Sequence, residues 1–310
     1  MDTRGVNVSL PLYYFLAITA VNILISWALY LPYRVAQLHF ITVANMAISG
    51  YAAGYLVMTL HLPFGLALAA GFLLGGLIGY IVALFIGDAP TFSVVIVGFT
   101  FIYITRTVIE NTPAVGGTMG MFGLPSIGGD PAVHRLVMLG LLYGMVLLVG
   151  FMLHRFEHSS LGRAAAAVFV DKELAASLGI DSRKLGILLQ TFSCTVAGGS
   201  GVLYGFIYKS FHLDFFSFHL VGITMTIIFV GGYATLWGTV VAAPLLYGVP
   251  LLFPPAIASW RIVIYGALLI LVLMLKPEGL ITRRLVLRVE SFFSKKKNPA
   301  NKTTYKEVGP

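Results

Sequence analysis

Charge is scarce in this 310-residue chain. Asp, Glu, Lys and Arg make up 10% of it, against roughly a quarter in an ordinary soluble domain. With 58% apolar residues and a mean hydropathy of +0.91, that shortage excludes a soluble globular domain and identifies a membrane protein. Cysteine is almost missing as well. A single Cys194 rules out an intrachain disulfide, and its place in an apolar segment assigns it to packing. No GxxxxGK[ST] loop occurs, so the chain has no such cradle for a nucleoside triphosphate, and an ATP-driven process would take its energy from another chain. The long apolar intervals hold almost no ionisable residue, which argues against a proton- or sodium-driven carrier, although one using backbone and hydroxyl ligands stays open. Asp88, Arg106 and Glu110 fall near predicted helix ends. His134, His154 and His158 lie near predicted span ends without metal-ligand spacing and read as interfacial, so no metal site and no cofactor bound by this chain are expected.

A helix needs about 20 mainly apolar residues to cross the hydrocarbon core. Charge-free intervals run over 5–33, 35–87, 136–154, 185–208 and 215–260. The second and the last are each long enough for two crossings, with Pro63 and the VGGYATLWG segment at 230–238 as turning points, and 91–109 and 261–275 are weaker candidates. Runs such as LLYGMVLLVGFML lack the alternation of a membrane barrel strand. The expectation is an all-α polytopic membrane protein with about nine transmembrane helices, eight to ten as bounds. The first apolar run has no small-x-small cleavage site and reads as a retained helix. Residues 154–184 and 276–310 carry fourteen of the 20 Lys and Arg, which places both in the cytoplasm, with four helices between them. Counting five helices back from His154 puts the N-terminus outside. The expected division is a membrane domain over 1–282, with a cytoplasmic loop at 154–184, and a basic disordered tail over 283–310. Arg283, Arg284, Arg288 and Lys295 to Lys297 account for most of the net charge of +8 and suit anionic lipid headgroups rather than nucleic acid.

The loop LGRAAAAVFVDKELAASLGIDSRK, Leu161 to Lys184, is a polar island with seven charged residues. Asp171 suits an N-cap, Glu173 the positive end of the helix dipole, and Gly179 a left-handed C-terminal stop, which together predict a two-turn helix over Lys172–Leu178. On it Leu174, Ala175 and Leu178 are expected to share one face, and the small Ala175 and Ala176 to admit a close partner. Leu161–Val170 reads as a second helical stretch, with Arg163 able to reach phosphate or carboxylate. Composition alone leaves the island even between a self-packed loop and a docking element. Thr42, Asn45, Ser49 and Tyr51 could line a path for a small amino acid or amide, Asn45 foremost; interhelical hydrogen bonding is the plainer reading for most of them. Glycine triplets within the spans suit close helix packing or broken helices along a path.

The island run SSLGRAAAAVFVDKELAASLGIDSRKL resembles the cytoplasmic signature of branched-chain amino-acid-type permeases of ABC transporters, the LivH/LivM family. VGGTMGMFGLPSI at 115–127, TFSCTVAGGSGVLYGFIY at 191–208, VGGYATLWGTVVAAPLL at 230–246 and YGALLILVLMLKPEGL at 265–280 resemble further segments of that family in the same order. The likeness covers about residues 35 to 285. It implies an all-helical permease that pairs with a second, homologous permease. Two ATPase subunits, carrying ATP and Mg, would sit inside, and a soluble substrate-binding protein outside. It also makes Asp171 to Gly179 the helix that couples to an ATPase, through Glu173, Ala175, Ala176 and Gly179. Gly116, Gly117, Gly120 and Gly123 would shape an external loop that meets the binding protein or closes the path; a flexible loop with no partner is the alternative. The expected home is a bacterial or archaeal cytoplasmic membrane, and the expected cargo branched-chain or other small amino acids. The chain departs from the family where Ser and His are usual in an early helix, having His39 and Thr42, and where a basic residue usually precedes the Asp of the island, having Phe169 and Val170. These departures bear on substrate rather than fold. A permease for urea or short amides is the alternative within the family; a carrier or channel working alone is the alternative outside it.

Overall fold

A computed structural model describes residues 9–87, 89–233, 235–248, 260–276 and 279–281. Its long elements are α1 (Leu10–Tyr33), α2 (Ile41–Met58), α3 (Phe64–Ile86), α4 (Thr91–Glu110), α5 (Pro131–Glu157) and α8 (Ser182–Tyr208). Between α5 and α8 lie α6 (Ser160–Val170) and α7 (Lys172–Ser177); after α8 come α9 (Phe218–Gly231), α10 (Leu236–Ala243) and α11 (Arg261–Leu275). Two short strands, β1 (Met121–Phe122) and β2 (Ser210–Phe211), pair antiparallel. The breaks follow local chemistry. Pro63 and Pro90 stand in extended backbone just before α3 and α4, since proline fixes φ and suits a helix start. Asp130 caps α5 by accepting from Ala132 N–H, ahead of Pro131 at the first helical position.

Among the described residues, seven helices are long and apolar enough to cross a membrane, the seventh being α9 with its preceding turn, Leu213–Gly231. In the 215–260 interval, read from sequence as two crossings, the described residues form α9, a sharp return through Gly232 and α10. Residues 249–259 lie outside the description, as do Asp88, Pro277 and the basic tail.

Contacts fix the direction of α1, α3, α5 and α8. The Tyr30 hydroxyl donates to Glu157, so α1 and α5 end on the same face, next to the island. Gly87, just after α3, lies close to Arg183 at the start of α8 on that face too. On the opposite face Tyr14 of α1 stacks on Tyr208 of α8 at 5.5 Å, and β1, before α5, meets β2, after α8. The start of α1 therefore stands on the glycine-loop face and the charged island on the other.

α1, α2 and α8 form the centre, and most of their residues are buried. α3, α4 and α5 lie outside them and present Leu73, Phe85, Phe92 and Leu147 outward, an apolar surface suited to lipid. α8 packs against α1, α2 and α3. Lipid tails are as apolar as leucine, so close packing and hydrogen bonds must hold such helices together. Gly71, Gly75 and Gly79 form a small stripe on α3; a Cβ on Gly75 would stand 2.5 Å from the Cys194 carbonyl oxygen. Cross-bonds add to this: Trp27 Nε1–H donates to Leu236 O at 3.1 Å, and the Ser193 hydroxyl donates to Ala28 O.

Candidate functional site

The island is a built structure. Ser159 caps α6 by accepting from Gly162 N–H, and a Cβ on Gly162 would stand 2.2 Å from Phe156 O, so the tight turn from α5 admits no side chain there. Asp171 accepts from Glu173 N–H at 2.9 Å and from Leu174 N–H at 3.0 Å. Gly179, at φ +83, closes α7 while Ile180 N–H returns to Ala175 O. Asp181 then caps α8 through Lys184 N–H at 3.0 Å, with the Lys184 ammonium also 3.0 Å away. These two contacts hold the Asp181 carboxyl below the usual carboxylate range.

The face expected from spacing divides. Ala175 is 1% exposed and turns onto the protein's own helices, whereas Leu174 and Leu178 are 59% and 72% exposed. The physical reason is that α7 packs on both α6 and α8, and in so short a helix one inward residue suffices to seat it. Asp171, Glu173, Ala176, Gly179 and Arg163 are exposed with the leucines, and Arg163 donates to His158 O at 3.4 Å. Val170, beside them, is 83% exposed. Phe169 anchors this end: its ring meets Tyr33 of α1 edge-on at 5.5 Å. Three leucine- or valine-sized side chains thus stand outward on a charged surface.

The polar residues of α2 face inward. Thr42, Asn45, Ser49 and Tyr51 are all buried. Asn45 Nδ2 donates both its hydrogens, to Gly75 O of α3 at 3.0 Å and Cys194 O of α8 at 2.9 Å. The Thr42 hydroxyl reaches His39 O of its own chain turn, and the Tyr51 hydroxyl donates to Phe211 O at 3.1 Å. Of the four, Tyr51 borders open space, a cavity of about 390 Å³ between α2 and α4 lined also by Ile48, Phe101, Thr105 and Val108.

On the opposite face the glycine-rich segment forms a cap. Gly116, Gly117, Gly120 and Gly123 all have positive φ, and a Cβ on Gly120 would lie 2.4 Å from Phe211 O, so the strand pairing of β1 with β2 depends on its absence. Gly123 and Leu124 N–H both donate to Lys209 O. His134, expected to be interfacial, is 2% exposed. α5 begins at Pro131, before Arg135 rather than after it, and this carries the ring inside. There Ile127 N–H donates to Nδ1 at 3.0 Å, so Nε2 carries the hydrogen toward Phe206 O, also at 3.0 Å, tying the cap to α8. Arg106 joins Glu110 at 2.7 Å and Asp214 at 3.0 Å, holding the end of α4 to the α8–α9 connection.

One residue of this face escaped the sequence reading. Phe211 is fully buried, its ring set against Gly50 and Gly54 of α2 and Gly205 of α8; a Cβ on Gly205 would stand 1.9 Å from it. The signal was present as glycines in two separate spans, but nothing local says which ring they receive.

Fold and sites together define a multi-pass helical membrane protein with a capped helix that exposes two leucines on one face and a glycine-built cap on the other. The chain belongs to the family described as the permease component of branched-chain amino acid transport systems, whose sequence profile matches residues 12–273. Among curated proteins it is similar to the high-affinity branched-chain amino acid transport system permease protein LivM of Escherichia coli (strain K12), 25% identical over 241 residues, which are 70% of this chain and 55% of that one. The protein of the same name in Salmonella typhimurium (strain LT2) is 25% identical over 238 residues, 69% of this chain and 54% of its own. The chain spans about half the length of the curated relatives it matches. No solved structure matches it.

Proposed function

We propose that the chain is the membrane-spanning subunit of an ATP-driven importer for branched-chain or other small amino acids, lying in a bacterial or archaeal cytoplasmic membrane with the island inside. It would pair with a second, homologous permease. α7 would seat in a groove of an ATPase subunit, one of two, and those subunits would hold ATP and Mg. The glycine-built cap would face a soluble substrate-binding protein. No catalytic residue is assigned to this chain. Family membership supports the cargo. The exposed Leu174, Leu178 and Val170 on a rigidly capped polar island are the observation that carries the docking.

The coupling follows from connectivity. α7 ends at Ser177 and α8 begins at Ser182. α8 has 27 residues, a length of about 40 Å, and its far end holds β2 and the cap. A push on α7 by a closing ATPase pair therefore acts on the helix at the centre of the bundle. Nucleotide shifts the permease between outward- and inward-open states only if the docked ATPase binds the two states unequally. Replacing Gly179 with Val tests this, because φ +83 is strained for a β-branched residue. The expected result is loss of ATPase subunits from purified membranes, or ATP hydrolysis without uptake; unchanged co-purification with unchanged uptake would contradict the docking.

A further inference from the structure

A second site lies at the glycine-loop face, beside the cap and on the opposite side from the island. A pocket of about 220 Å³ opens where the start of α1, the start of α5 and the end of α8 converge, bordered by Tyr13, Tyr14, Arg135, Tyr208 and Lys209. Tyr13 is 2% exposed, and its hydroxyl has no hydrogen-bond partner among the described residues. A buried hydroxyl without a partner is costly, so its persistence calls for a group that accepts from it. Neither Arg135 nor Lys209 forms an ion pair among the described residues; the Lys209 ammonium donates to the Ser126 hydroxyl and keeps further hydrogens. Two cations and one O–H donor around a small pocket match a ligand with several anionic oxygens, and guanidinium in particular suits a phosphate.

The surroundings identify the source. Three tyrosine rings ring the pocket, and such rings gather where hydrocarbon meets water. Leu10, which lines it, and Leu12 and Leu136, close to lining residues in sequence, are 53%, 45% and 57% exposed. We propose that this pocket is a phosphate site and that it takes the phosphodiester headgroup of an anionic phospholipid, whose chains run along those leucines. Arg135 and Lys209 neutralise the phosphate, and the Tyr13 hydroxyl donates to one of its oxygens.

The test uses the full-length chain in nanodiscs of phosphatidylcholine, with or without phosphatidylglycerol, and reads retained lipid by native mass spectrometry together with thermal unfolding. Phosphatidylglycerol should be retained and should raise the Tm of the wild type, and Arg135→Gln should weaken that retention about tenfold, the scale of one charge-assisted hydrogen bond. Tyr13→Phe is the second variant. It removes no hydrogen bond within the described residues, so a merely structural role leaves its Tm in phosphatidylcholine unchanged or raised. The site requires that it lose part of the phosphatidylglycerol response. Inorganic phosphate added to the phosphatidylcholine discs separates the sources: an Arg135-dependent shift with phosphate and none with the lipid would keep the phosphate chemistry and overturn the lipid. Equal responses of wild type, Arg135→Gln and Tyr13→Phe to both probes would overturn the site.

Discussion

Asn45 shows what a polar side chain does inside this bundle. Its amide holds α2 to α3 and α8 at once through Gly75 O and Cys194 O. Each such bond contributes about 0.6–2 kcal/mol in a membrane. Asn45→Ala should therefore lower unfolding stability by about 1–3 kcal/mol by that same scale, read by denaturation in detergent; a variant as stable as the wild type would return Asn45 to the substrate path as its main role. Asp181 offers a pH-dependent counterpart at the surface. Because its folded pKa is depressed, its contribution is present above the ordinary carboxylate value and is lost as pH falls through the lower folded one. Protection of the amide of Lys184, the residue it caps, measured against its intrinsic exchange rate, should fall in the wild type as pH drops below the ordinary carboxylate value and show no such step in Asp181→Asn. The inward stripe of α2 was legible as polar residues in an apolar helix. Interhelical bonding was the plainer reading for most of them; the particular acceptors were not legible, because a nearly all-apolar helix does not say which neighbour each face meets.

At the scale of elements, the capped helices were legible and the interfaces were not. Asp171, Glu173 and Gly179 act within one turn of chain, so their chemistry named α7 almost to the residue. The inward turn of Ala175 depends on α6 and α8, and no local pattern carries it. The glycines of α3 show the same division: their spacing said that something packs closely, and the structure shows that α8 does. Gly75→Val places a branched side chain against the α8 backbone and should destabilise the protein by about 1–3 kcal/mol through overpacking. Phe211→Ala empties the socket made by Gly50, Gly54 and Gly205, with a cost of about 3–5 kcal/mol expected for a buried ring. Both are measurable by thermal unfolding of the purified chain, and wild-type melting in either would contradict the contact in question.

For the whole molecule, charge distribution located the membrane spans and the two basic segments, and an odd number of crossings before the island agrees with the directions of α1, α3, α5 and α8. Apolarity alone did not show the sharp return between α9 and α10, since the whole interval is free of charge. What unites the two faces is α8, capped by Asp181 and packed on α7 at one end, and fixed at the other to the cap through Lys209, Phe206 and β2. Docking of an ATPase at α7 is the claim on which this coupling rests, and the single buried Cys194 leaves the chain open to site-directed cross-linking. The direct measurement is disulfide cross-linking of Leu178→Cys, with Leu161→Cys on α6 as the comparison, to single cysteines in the ATPase subunit, with and without nucleotide. The expected result is a cross-link from position 178 whose yield changes with ATP and which blocks uptake when closed; no cross-link from position 178 in a complex that still transports would contradict it.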